Sequence, residues 1–229
     1  MEDKDKITLV ITSCNRFELL KRTVYSFLAH NSYPIEKYII IDDSAMTFMH
    51  KQLQHEFGAM FEIICNPQRI GQIMSIDKAY AMVKTPYIFH LEDDWEFYRE
   101  GFIEKSLAIL KHDPAVLQVW LREHNDTNGH PIESYEHEVF GIHYQKLALN
   151  YLGYHGFSFN PGLRRLADYN LIKPFSNVRY NPEEPQKGAR FYCPEMEISE
   201  LYRQKGFRAV ILERGYVRHI GAQHRVGWD

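Results

Sequence analysis

The sequence predicts an α/β fold, a mixed but mostly parallel sheet flanked by helices. Three observations predict it. Across residues 1–121, short β-rich apolar runs alternate with longer stretches of helical period. One of those runs, Tyr38–Ile41, is apolar throughout, as a buried strand should be. Polar and acidic residues follow the runs directly, which puts them at the carboxyl ends of the strands.

The elements follow in order. Ile7–Thr12 is a first strand, and Phe17–His30 carries Phe17, Leu20, Val24, Phe27 and Leu28 at helical spacing, with Asn15 or Ser13 as the expected cap. Tyr38–Ile41 is a second strand, ending in Asp42 and Asp43. A helix over Met46–Phe57 and a third strand over Phe61–Cys65 come next, closed by the Asn66-Pro67 turn. Ile73–Val83 reads as a helix and Tyr87–Leu91 as a fourth strand running into Glu92, Asp93 and Asp94. Phe102–Leu110 is a further helix and Ala115–Leu121 a further strand. Residues 122–193 break the alternation and read as irregular loops and short elements laid over the sheet, where substrate contacts tend to reside. Order returns with a helix from Pro194 to its C-cap Gly206, then strands Ala209–Leu212 and Tyr216–Ile220 and a polar tail. The whole, residues 1–229, is expected to be one domain. Residues 1–121 and residues 122–229 are expected to form its two halves.

Composition narrows the function. With 229 residues, 45% hydrophobic and 14% aromatic, the chain can bury a sizeable core without disulfide staples. Twenty-seven basic against 30 acidic residues and no long basic run argue against a nucleic-acid partner. Cys14, Cys65 and Cys193 are odd in number and outside any CxxC spacing, so neither a disulfide framework nor a zinc knuckle is indicated. No apolar run reaches the length of a membrane span and no signal peptide is visible. A cytoplasmic location is the resulting expectation, with peripheral association to a membrane left open.

In an open parallel sheet, ligands bind beyond the carboxyl ends of the strands. Four such ends converge here. They offer Thr12, Ser13 and Asn15; Asp42 and Asp43; Asn66 and Arg69; and Glu92, Asp93 and Asp94. Five carboxylates at one edge repel one another unless donors, water or a cation separates them, and a divalent metal is the economical solution. Hard oxygen ligands suit Mg²⁺, Mn²⁺ or Ca²⁺, and an ion held by one or two carboxylates keeps positions open for phosphate oxygens.

The order of ITSCNR, IIIDDS, NPQRIGQIMSIDKAY, YIFHLEDDWEF, EMEISELYRQKGFRAV and VRHIG resembles the family 2 glycosyltransferases of the GT-A fold. The likeness covers most of the chain and is loosest from about residue 122 to 190. It implies a nucleotide-diphosphate sugar as donor and a glycan, lipid-linked or other hydroxyl acceptor. Thr12 and Asp42 fall where the family holds the nucleotide base, with Asp43 a weaker match, and Arg69 falls near the basic residue that helps hold base or phosphates. Glu92, Asp93 and Asp94 occupy the family's DXD position, which assigns Asp93 to the ribose and Asp94 to the metal, Mn²⁺ or Mg²⁺. Glu92 stands where Asp is usual and is a further metal candidate. Glu195 and Glu197 fall on the two acids of the helix-start motif, and Glu195 takes the place of the catalytic base. His219 is where a histidine often sits near metal and diphosphate, and an imidazole ligand tilts preference towards Mn²⁺.

The resemblance thus implies metal-dependent sugar transfer with inversion, Glu195 taking the proton of the acceptor hydroxyl. Trp95 is the aromatic expected to stack on a sugar face, ahead of Tyr151, Tyr154, Phe157 and Phe159. Arg218, His224 and Arg225 are candidates for a phosphate clamp or for a solvated basic terminus. Other readings stay open. A nucleotidyltransferase should carry a glycine-rich loop after its first strand, which ITSCNRFELL lacks. A two-metal phosphoesterase also uses clustered carboxylates. A catalytically degenerate protein that binds a nucleotide sugar or glycan would account for Glu at 92, 195 and 197.

Overall fold

A computed structural model describes residues 5–149, 151–178 and 194–221. In chain order its first half contains β1 (Ile7–Ser13), α1 (Phe17–His30), β2 (Lys37–Asp42), α2 (Thr47–Phe57), β3 (Glu62–Cys65), α3 (Gln72–Tyr80), β4 (Tyr87–Glu92), β5 (Trp95–Phe97), α4 (Phe102–His112) and β6 (Val116–Trp120). The remainder contains β7 (Ile132–Val139), β8 (Ile142–Leu147), β9 (Gly162–Arg165), α5 (Leu166–Asn170), α6 (Pro194–Gln204), β10 (Arg208–Leu212) and β11 (Val217–His219).

The main sheet has the order β3-β2-β1-β4-β9, with β1 to β4 parallel and β9 antiparallel to β4. All seven residues of β1 are buried, which is why its apolar run does not alternate. Ile7, Leu9 and Ile11 join one core with Leu20, Val24 and Phe27 of α1 and Leu53 of α2. Val10 joins the opposite one with Ile76 and Tyr80 of α3 and Ile198 and Tyr202 of α6. Helices therefore cover both faces. Register sets the functional edge: Ser13 pairs with Asp42, Asp42 with Cys65, and Thr12 with Glu92, so the strand ends form one row.

A second sheet, β6-β10-β8-β7, and a two-stranded antiparallel ribbon, β11-β5, complete the fold. The ribbon pairs His219 with Trp95 and Val217 with Phe97, so two segments over a hundred residues apart meet beside the acidic triplet.

Three expectations need correction. Residues 122–193 are not wholly irregular, because β7 and β8 form a hairpin whose two-residue turn places Phe140 at φ 50° and Gly141 at φ 75°, the left-handed pair a tight hairpin requires. Neither Asn15 nor Ser13 caps α1. Arg16 is the N-cap, without a side-chain hydrogen bond to the helix, and its guanidinium reaches the acidic triplet instead. The last strand is shorter than expected, Val217–His219. The cap at Gly206 holds. Its N–H donates to the Arg203 carbonyl and that of Phe207 to the Tyr202 carbonyl, Gly206 takes φ 86°, and the Phe207 ring packs 5.7 Å from that of Tyr202, a Schellman ending. Among the described residues no helix is long and apolar enough to cross a membrane.

Candidate functional site

The carboxyl edge of the main sheet brings the acids together, but each has its own partners. Asp93 is fully buried at the end of β4, where its Oδ2 accepts from the Cys14 N–H at 3.3 Å and from Arg16 Nε at 3.2 Å, while Arg16 Nη2 meets Oδ1. Arg16 Nη1 also donates to Asp94 Oδ2 at 2.7 Å. One guanidinium thus spans both aspartates. Burial pushes the Asp93 carboxyl up to about 6, against the pull of Arg16. Asp94 goes the other way. Its burial is outweighed by the hydrogen bond from His219 and by Arg16, which together hold it below the ordinary aspartate value.

His219 Nε2 lies 3.2 Å from Asp94 Oδ2, and its ring packs 5.0 Å from that of Trp95. Ile220 N–H donates to the Asp94 carbonyl at 2.8 Å, and Gly221 lies so close that a β-carbon there would collide with the Asp94 side chain. Asp94 and His219 are therefore brought together as expected. Glu92 is turned elsewhere. Its Oε1 accepts from Gln72 Nε2 at 2.7 Å and its Oε2 from Trp95 Nε1 at 3.3 Å.

Glu92 shares a cleft of about 200 Å³ with Gln72, Phe159, Asn160 and Glu195. Glu195 opens α6, in the first turn after Pro194, and its Oε1 accepts the Phe159 N–H at 2.6 Å. Desolvation raises both carboxyls. Glu92 is pushed up to about 8, by burial first and then by the charges of Asp94 and Glu195. Glu195 is raised by burial, partly offset by the hydrogen bonds from Phe159 and Ser158 and by Arg164. Arg164, only 4% exposed, donates to the Ser158 carbonyl and to Tyr80 Oη at 3.1 Å, fixing the loop that carries Phe159.

At the other end of the row Asp42 is fully buried. Its Oδ1 accepts from the Ser44 N–H at 3.1 Å and from the Ser44 hydroxyl, while Oδ2 has no hydrogen-bond partner among the described residues. Asp43 serves the chain itself. It accepts from Asn66 Nδ2 at 2.8 Å and from the Ile70 and Gly71 N–H groups at 2.9 and 2.8 Å, tying β2 to the start of α3. Thr12 is buried beside Glu92 in the β1–β4 register. Arg69 is exposed, yet near enough to Cys14 to act on its thiol, which burial raises and Arg69 lowers.

Trp95 corrects another expectation. At 2% exposure it is core, with Arg122 5.2 Å from its ring and its indole N–H on Glu92, so it is a support for the site rather than a stacking surface. Phe157 and Phe159 are likewise buried. Arg218 is drawn to Glu96. His224, Arg225 and Cys193 lie outside the described residues. Arg16 is the residue the sequence reading missed. Its signal was an Arg directly after the polar end of the first strand, on the same edge as five acids.

As for a metal, no three His, Cys, Asp or Glu side chains among the described residues converge on one point. The pair Asp94 Oδ2 and His219 Nε2 fits better than the triplet. Two ligands on one divalent ion at right angles stand about 3 Å apart, given bond lengths of about 2.1 Å, and the observed 3.2 Å matches. Arg16 contacts the same oxygen, so an ion arriving there competes with a guanidinium.

The model of the family described as "Glycosyl transferase family 2" matches residues 8–171. The fold is similar to that in the crystal structure of S. aureus TarS 1-349, with TM-score 0.60 and 11% identity, over 93% of this chain and 59% of that one. The chain thus spans about 59% of the length of that structure. None of the curated proteins compared matches the sequence.

Proposed function

The chain belongs to glycosyl transferase family 2 and is a glycosyltransferase, and from that premise we propose that it moves a sugar from a nucleotide-diphosphate donor to an acceptor hydroxyl, with inversion and with a divalent ion. The single observation that carries the reading is the cleft that Glu92, at the end of β4, shares with Glu195, at the start of α6, with Asp94 two residues on from Glu92. In this reading the diphosphate site and the base adjoin there.

In this reading residues 1–121 hold the donor. Asp42 offers a base N–H its fully buried Oδ2, which has no partner among the described residues and whose desolvation an arriving donor would compensate. Thr12 and Arg69 flank the base and phosphates, and Asp93, anchored by Arg16, faces the ribose. Asp94 and His219 would hold Mn²⁺ or Mg²⁺, which supplies charge neutralisation for the departing diphosphate. Residues 122–229 provide the acceptor side. Glu195 accepts the proton of the attacking hydroxyl, and desolvation makes it a stronger base than an exposed glutamate. Glu92 keeps its proton near neutrality and donates a hydrogen bond to a sugar oxygen rather than charge to a metal.

The test is a panel of nucleotide sugars with and without Mn²⁺, read by thermal shift and by release of nucleoside diphosphate. Binding that depends on Mn²⁺, lost in Asp94→Ala, with a product of inverted anomeric configuration, is expected. A panel in which no nucleotide sugar binds or turns over under any condition would overturn the reading. Binding without release against every acceptor would support the non-catalytic alternative.

A further inference from the structure

The cleft shared by Glu92 and Glu195 has a buried cation behind it. Arg164 belongs to β9, where it stands opposite Ile88 of β4, and residues directly opposite in an antiparallel pair share a face. Ile88 packs in the core with Tyr80 of α3 and Ile198 of α6, so Arg164 lies on the side of the sheet from which α6 presents Glu195. Its guanidinium is 5.0 Å from the centre of the Phe157 ring and 5.5 Å from that of Phe159, both in the same core.

Arg164 is buried without an ion pair among the described residues, and its Nε has no hydrogen-bond partner among them. The acceptors it does have are neutral. Nη1 donates to Tyr80 Oη at 3.1 Å, and Nη2 donates to the Ser158 carbonyl and, at 3.4 Å, to that of Asn160. Because Tyr80 Oη accepts from Arg164, its own proton goes to His90 Nδ1, 3.0 Å away. That imidazole is held neutral by its burial and by the charge of Arg164. A cation buried among neutral groups is costly.

What the cation serves is read from what it grips. Between the two carbonyls it holds lies the Phe159 N–H, which meets Glu195 Oε1 at 2.6 Å, and the Ser158 side chain bonds the same carboxyl. The Ser158 N–H is in turn fixed by Gln118 Oε1 at 3.1 Å, so this short segment is held from both sides. Glu195 is also the carboxyl whose ionised form the charge of Arg164 favours, against burial. We propose that Arg164 is a positioning residue for the base: it clamps residues 158–160, whose donors aim Glu195 into the cleft, and sets a positive charge behind the carboxylate. The inference rests on the reading of Glu195 as the base.

The test is a double-mutant cycle. Arg164→Met, which fills the space between the rings with an unbranched apolar chain, and Arg164→Lys, which keeps a charged donor, are made alone and with Glu195→Gln. With the nucleotide sugar of the panel above that turns over, Arg164→Met should lower kcat about 10²-fold, the scale of a reacting group misplaced by about an ångström, at unchanged donor KM. Arg164→Lys should recover about ten-fold of that loss. Neither should slow Glu195→Gln protein further, because the effect passes through the base. Melting temperatures give the same cycle without turnover. Removing the charge of Glu195 should offset part of the damage of Arg164→Met, so the double variant should melt ~2 °C or more above the sum of the single shifts. Should Arg164→Met not fold, Arg164→Lys, about ten-fold down in kcat, carries both cycles. Losses that add in both cycles, a Lys variant no better than Met, or kcat and donor KM that worsen together overturn the positioning role. Coupled melting temperatures in a protein that turns over no nucleotide sugar overturn the transfer reading and the base assignment, while keeping the link between Arg164 and Glu195.

Discussion

Glu92 and Asp94 are two residues apart in the chain and sit in opposite electrostatic regimes. Asp94 and its neighbour Asp93 are bridged by Arg16, and Asp94 is also met by His219, so Asp94 stays ionised below the ordinary range. Glu92 shares a cleft with Glu195, where no cation among the described residues pairs with Glu92 and the charge of Glu195 adds to the cost of ionising it. The same functional group is held ionised in one place and protonated in the other. In the proposed reaction, separating them this way would let one pocket stabilise a leaving diphosphate and take up a proton without the two tasks neutralising each other.

The sharpest way to break this contrast is Glu195→Gln. It should lower kcat by about 10³-fold, within the usual range for a positioned general base, while leaving donor affinity intact, as single-turnover and calorimetric measurements would show. In the wild-type enzyme the acid limb of the kcat–pH profile should lie above the ordinary glutamate value, since burial raises Glu195 and the base works only when deprotonated. A limb at or below that value would place the base elsewhere.

Arg16→Gln attacks the ionic side. It strands two buried aspartates and should cost about 3 kcal/mol of stability, the usual penalty for removing one partner of a buried pair, measured by urea denaturation. A loss well under 1 kcal/mol would mean that the guanidinium adds little to the rim.

The smallest effect is expected of Glu92→Gln, which sharpens the proton-carrier side. In metal-free, donor-free protein the unfolded Glu92 ionises near 4.5 and the folded one only near 8. The native state therefore binds more protons across that window, and wild-type stability falls as pH rises through it. Gln removes that slope, so the melting temperature of the variant should exceed that of wild type by ~2 °C or more near pH 8 and converge with it near pH 4. Parallel curves at all pH values would assign Glu92 to the charged side.

Much of this was legible because the determinants are local. The strands β1, β2 and β4 are largely apolar runs buried on both sides, and Gly206 announces the end of α6. The β7–β8 hairpin was not. Its first strand, IESYEHEV, is largely exposed and charged, and its turn uses Phe140 where Asn or Asp would be the usual signal. The site follows the same rule. Clustered acids at the strand ends could be read, but what neutralises them could not, because the expected cation was an external ion and Arg16 supplies one from within the chain. Trp95 was read by its position next to the acids. Its burial depends on the β5–β11 pairing, which three-residue strands do not advertise.

That pairing has a bearing on how the protein breathes. The ribbon that sets His219 beside Asp94 has three registered residue pairs, whereas β1 is clamped on both flanks by β2 and β4. A short two-stranded ladder opens at far lower free energy than the centre of a buried sheet. Amide protons of Val217–His219 should thus exchange with deuterated solvent well before those of Leu9–Ile11.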